Sequence, residues 1–139
     1  MLSVTADSNI YISALNFGGP PDRILELARA GRIRLAISDA IRDEIAGVLR
    51  KKFGWQEEAI RVALARIADF AEPVSPTHTV RAIAEDPSDD RILECAQAAN
   101  SDYIVTGDQH LLRLGSFGTT RIVRPAEFLQ IESPQSERK

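Results

Sequence analysis

Apolar residues recur along this chain in two alternating rhythms. Continuous, partly β-branched runs occupy Leu2–Ala6, Ile33–Ile37 and Asp102–Thr106, with a shorter one at Arg121–Val123. Between them the apolar positions fall three or four residues apart. They are Ile10, Ile12, Ala14 and Leu15; Ile24, Leu25, Leu27 and Ala28; Ile41, Ile45, Val48 and Leu49; positions 60, 63, 64, 67 and 70; and Ile92, Leu93, Ala96 and Ala99. The first rhythm is that of buried strands, the second that of helices with one apolar face. The punctuation agrees. Asp7-Ser8-Asn9 stops the first strand, Gly18-Gly19-Pro20 ends the first short helix, and Pro21 suits the start of the next, which Gly31 closes. Ser38 is placed to cap a helix running to about Lys52, and Gly54 breaks the chain before a helix over Gln56–Phe70.

Further on, Glu72–Pro76 is extended but interrupted by proline, which fits an edge strand or a connection. Asp86-Pro87-Ser88-Asp89 reads as a turn and cap before a helix over Asp90–Asn100; a short helix follows at His110–Leu114, and Pro125 opens a last helical turn. Strand–helix alternation of this kind predicts an α/β fold: a mostly parallel sheet of four to five strands with helices on both faces. The domain is expected to span residues 1–132. From Ser133 the tail is polar and expected to be disordered.

Composition narrows the chemistry. The length of 139 residues fits one domain with a sizeable core. A single cysteine, Cys95, excludes an intrachain disulfide and a multi-thiolate zinc site. Neither a signal peptide nor a membrane-length apolar run is visible, so a cytoplasmic location without membrane contact is expected. The formal charge of −3 is unusual for a nucleic-acid binder. It is less so if several acids crowd one cation, since a bound cation reverses the local sign.

In an open parallel sheet, ligands bind beyond the carboxyl ends of the strands. Asp7 and Asp108 both follow strands there. Either acid alone is as readily a turn residue; together, on neighbouring strands, they make a site. Glu44 lies within the apolar stripe of its helix, one turn from Ile41 and Val48. A carboxylate in that position needs a partner, a metal or a route to solvent. Asp89 and Asp90 open a helix, where acids complement the dipole. One of them is expected to do only that, and Asp90 is the better placed to face the strand ends. Glu94, one turn further, either extends the acid set or is solvated. The two histidines, His78 and His110, stand at no ligand spacing with each other and read as surface or capping residues.

The order Asp7-Ser8-Asn9, Glu44 within DEIAGVL, Asp90 within DPSDDRILECA and Asp108 within DYIVTGDQHLL resembles the PIN-domain nucleases, most closely the toxin components of bacterial toxin–antitoxin systems. The likeness runs from the first strand to the last, and its two later motifs are the specific part. It implies a three-layer α/β/α sandwich and an acid cluster of Asp7, Glu44, Asp90 and Asp108 holding Mg²⁺ or Mn²⁺. Asp7 and Asp108 would be the central ligands, and Ser8, Asn9 and Thr106 supporting polar residues. It further implies an endoribonuclease acting on single-stranded or structured RNA, an antitoxin partner and a homodimer. One departure is His110, where some relatives carry a further acid. Hard divalent ions prefer such oxygen donors, and metal-assisted hydrolysis needs no side-chain nucleophile.

Substrate contacts are less specific. Arg42, Arg50 and Arg91 flank the acids and suit phosphate binding, while Lys51 and Lys52 equally complement a helix end. Phe53 and Trp55 suit base stacking or a core or dimer contact, and the Gln56–Phe70 helix suits a partner surface or core packing. Three other readings compete. A haloacid-dehalogenase-type phosphatase needs an acid where Asn9 stands. A receiver-like regulatory module wants paired acids after the first strand and a lysine where Arg124 precedes Pro125. A catalytically silent PIN-like metal-binding scaffold would keep the acids without turnover.

Overall fold

Val4, Thr5 and Ala6 are completely shielded from solvent on both faces of one strand, the burial a central strand of a parallel sheet requires. This strand, β1 (Leu2–Ala6), lies inside a six-stranded sheet with β2 (Ile33–Ile37), β3 (Ala71–Pro73), β4 (Tyr103–Val105), β5 (Ser116–Phe117) and β6 (Thr120–Val123). The spatial order is β3-β2-β1-β4-β6-β5. All pairings are parallel except β5 with β6. The computed structural model describes residues 1–82 and 87–132; the tail from Ser133 and part of the turn expected at Asp86–Asp89 lie outside the described residues.

Among the described residues seven helices accompany the strands: α1 (Ser8–Asn16), α2 (Pro20–Arg29), α3 (Asp39–Lys51), α4 (Glu57–Ala68), α5 (Pro87–Ala99), α6 (Gln109–Leu114) and α7 (Pro125–Glu132). From β1 the chain moves outward through β2 to β3, then crosses back by α5 to β4 on the other side of β1. Right-handed crossovers in opposite directions put their helices on opposite faces. The result is the expected α/β/α sandwich. Alternation along β1 shows which side is which: the Thr5 hydroxyl reaches Cys95 of α5 and, at 2.8 Å, Ser101, so the Ser3/Thr5 side faces α5 and the Val4/Ala6 side faces the opposite layer.

The sheet holds one more strand than the four to five expected. β5 is two residues long, too short to show any periodicity, and it forms a hairpin with β6 through Gly118–Thr119. Gly118 sits at φ +61°, open to glycine without steric cost. β3 does form, as a three-residue edge strand ending at Pro73, where the missing N–H harms no inner ladder. The helix starts follow their caps: Ser38 Oγ accepts the Ile41 N–H at 3.3 Å, and Asp7 and Asp108 cap α1 and α6.

Residues from every layer join one core, including Tyr11, Ile24, Leu35, Ile45, Leu93, Ile104 and Phe128. Phe128 is fully buried on α7, edge-on to Tyr103 of β4 with ring centroids 5.6 Å apart, and α7 also packs on α2. This helix fastens the end of the chain to both the sheet and the outer layer. Phe128→Ala is expected to destabilise the fold by about 3–5 kcal/mol, read as a lowered midpoint of denaturant unfolding with little change in slope.

Candidate metal centre

β1 and β4 are the neighbours at which the chain reverses its direction of travel across the sheet. Their carboxyl ends open into the crevice where ligands bind in folds of this class. The Asp7 N–H donates to the Val105 carbonyl at 3.1 Å, so the sheet ladder itself carries Asp7 to the lip of the crevice. From there its side chain divides its work. One oxygen caps α1 by accepting the Ile10 N–H at 3.1 Å, and the other accepts a short hydrogen bond from the Thr106 hydroxyl. Thr106 is completely buried, and its Oγ1 also accepts the Asp108 N–H at 2.9 Å. One threonine therefore ties the end of β1 to the residue after β4.

Asp108 turns back over α6, accepting the His110 and Leu111 N–H groups at 2.8 and 3.3 Å. These bonds place the His110 ring beside it. His110 Nδ1 lies 3.8 Å from Asp108 Oδ1 and 3.8 Å from Asp89 Oδ2. Ligand atoms of Asp89, Asp108 and His110 all fall within 4.8 Å of one another. Glu44, half-buried on α3, is close enough for its charge to act on Asp7. Acids from β1, α3, α5 and the end of β4 thus converge.

Asp7 is 4% exposed. Burial raises its pKa to about 6, against the lowering effect of the Thr106 and Ile10 hydrogen bonds; repulsion from Asp108 and Glu44 adds to the rise. Loss of water and gathered negative charge are the conditions a divalent ion relieves. The donors fit: hard carboxylate oxygens, joined by one imidazole nitrogen that is shielded from solvent and makes no hydrogen bond.

The two acids that open α5 diverge, because successive helical residues point about 100° apart. Asp89 turns toward Asp108 and His110. Asp90, also buried, gives Oδ1 to the Ala82 N–H at 3.0 Å. Glu94, one turn on, accepts the Val80 N–H at 2.9 Å and pairs with Arg91 at 2.8 Å; Arg91 donates to the Val80 carbonyl. Asp90, Arg91 and Glu94 together strap the segment at Val80–Ala82 to α5. The placement of Asp89 and His110 beside Asp108 was not apparent from sequence. The available signal was the Asp-Asp pair, whose two members must face different ways, and a histidine on the first turn after Asp108.

The other expected residues are distributed as follows. Ser8 is buried and Asn9 exposed in the first turn of α1. Arg50 is exposed and pairs with Glu57. Arg42, partly buried on the helix of Glu44, forms no ion pair among the described residues. His78 is exposed beside Thr77. Cys95 is buried, and burial pushes its thiol up to about 11, which leaves it unreactive.

The PIN domain family model matches residues 3–110. Among solved structures, a chain in the crystal structure of VapBC2 from Rickettsia felis bound to a DNA fragment from their promoter superposes with a TM-score of 0.61 at 18% identity, covering 87% of this chain and 97% of that one. No curated protein is significantly similar in sequence.

The Asp7 shift carries a sign for stability. A folded-state value of about 6 against an ordinary 3.8 means that the native state holds this proton more tightly than the unfolded chain. Stability of the metal-free protein therefore falls as pH rises from about 4 to 6 and levels off above, by up to about 3 kcal/mol. Asp7→Asn is expected to raise the melting temperature of metal-free protein at pH 7 and to leave it nearly unchanged at pH 4, as thermal unfolding at the two pH values will show.

Proposed function

The chain belongs to the PIN-domain family, and from that membership we propose that it is a Mg²⁺- or Mn²⁺-dependent endoribonuclease, the toxin of a toxin–antitoxin pair. The single observation that carries the reading is the convergence of Asp7, Asp108 and Glu44 at the carboxyl ends of β1 and β4, where Asp7 is buried and under repulsion from both other acids. In this reading Asp7 and Asp108 are the central ligands, and Glu44 and Asp90, whose Oδ1 also accepts the Ala82 N–H, complete the set directly or through water.

The bound ion would supply charge neutralisation at the scissile phosphate and a water made easier to deprotonate. The protein's own groups do the rest. Thr106 fixes one oxygen of Asp7, leaving the carboxylate a single orientation, while the Ile10 N–H holds the other. The two helix N–H groups hold Asp108 the same way. Ser8 and Asn9 stand beside Asp7 to orient carboxylates or water. Arg42 has its charge available for a phosphate. Arg50 and Arg91 would have to exchange Glu57 and Glu94 for one, so they make weaker substrate contacts. Fixed donors that need no reorganisation during reaction are the general means of such catalysis.

A protein partner is supported by two observations. The similar structure is of VapBC2 with DNA from their promoter, an assembly of more than one component. In addition, α4 helps line a groove of about 680 Å³ whose walls include Leu15, Trp55, Val62 and Phe70 together with Arg29 and Arg66. An antitoxin segment or a second copy of the chain would bury this surface. No helix among the described residues is long and apolar enough to cross a membrane, and a cytoplasmic location fits the proposed activity.

Labelled single-stranded RNA incubated with the protein and Mn²⁺ is expected to be cut, and EDTA to stop the cutting. Asp7→Asn and Asp108→Asn should each lower the rate by at least a hundredfold while keeping the native circular-dichroism spectrum. Cleavage that persists in either variant or in EDTA would remove the acid cluster from the mechanism.

A further inference from the structure

His110 gives this site a donor of a different kind. Its Nδ1 atom is shielded from solvent, makes no hydrogen bond, and sits 3.8 Å from a carboxylate oxygen on each side, Asp89 Oδ2 and Asp108 Oδ1. At 3.8 Å neither contact is a hydrogen bond. Two donors that share an ion at about 2.1 Å each can stand at most about 4.2 Å apart. Both separations fall inside that limit, and all three ligand atoms lie within 4.8 Å of one another, so side-chain adjustment would let them share one cation. The backbone at His110 is also tied to the centre, since its N–H is bonded to the Asp108 carboxylate that would share the ion.

We propose that His110 contributes a nitrogen ligand, with Asp89 and Asp108, and that this biases the centre toward a first-row transition-metal dication over Mg²⁺. Carboxylates and water suit Mg²⁺, whereas imidazole favours the later transition metals. An all-carboxylate site discriminates less between the two kinds of ion than a site with one imidazole does. The proposal rests on the metal-dependent reading above and adds the identity of the ion. Asp89 becomes a ligand in its own right, on the face of α5 that turns away from the Val80–Ala82 strap.

The test needs no RNA. Metal-free wild type, His110→Asp and His110→Ala are titrated calorimetrically with Co²⁺, Mn²⁺ and Mg²⁺, and the Mn²⁺-loaded samples are examined by pulsed electron paramagnetic resonance for nitrogen coupling. Circular dichroism first establishes that both variants fold, which a one-third-exposed ring permits. The wild type is expected to show nitrogen coupling that both variants lack. Its preference for Co²⁺ over Mg²⁺ should exceed that of His110→Asp by about tenfold or more. Mn²⁺ binding without nitrogen coupling, coupling that survives in His110→Ala, or equal preference in wild type and His110→Asp would each overturn the proposal and leave the metal-dependent reading standing. Absence of any dication binding in the wild type would overturn both.

Discussion

The parallel pairing of β1 with β4 is the constraint on which the centre depends. Val4, Thr5 and Ala6 register against Tyr103, Ile104 and Val105, so the two strands end level and deliver Asp7 and Thr106 side by side. The Thr106 hydroxyl then binds both the Asp7 side chain and the Asp108 backbone. Nothing else is required to bring acids separated by about a hundred residues of chain into one crevice. Their electrostatic cost is borne by the core: Tyr11, Ile41, Ile45, Ile104 and Leu111, all fully buried, supply apolar burial on a scale that exceeds the penalty of one confined carboxylate.

A second arrangement follows from helix geometry. The Asp89-Asp90 pair serves two masters because neighbouring side chains on a helix diverge. Asp90 and Glu94, one turn apart and therefore on one face, receive backbone N–H groups from the incoming segment. Asp89 points instead toward Asp108 and His110. The strap thereby sets the rotation of α5 about its own axis and, through that rotation, the position of Asp89. A structural fastening and the proposed ligand position are two consequences of the same helical turn.

Much of the fold was legible in the sequence because its strongest signals are local. β1, β2, β4, β6 and the seven helices among the described residues announce themselves by apolar period and by caps at Asp7, Ser38 and Asp108. β5 escaped because two residues have no period, and its partner is chosen by a glycine turn. Of the site, the acids that follow strands were legible because strand ends in a parallel sheet gather by topology. The distribution of labour between Asp89 and Asp90 was not, since a one-residue difference becomes a change of direction only when the helix is built. His110 stood out only as a departure where some relatives carry an acid; its neighbour Asp89 lies 21 positions earlier, and only the tertiary fold sets them 3.8 Å apart.

The two rims of the sheet have a bearing on how this molecule meets others. β3 presents three residues and ends in a proline; β5 presents two and is bent back by Gly118. Neither rim offers the run of free N–H and C=O groups on which another chain would lay down an additional strand. Growth of the sheet from one molecule into the next, the usual route to ordered aggregates, is closed at both ends. Short rims of this kind favour assembly through side chains on the helical faces, where shape and charge rather than backbone pairing select the companion.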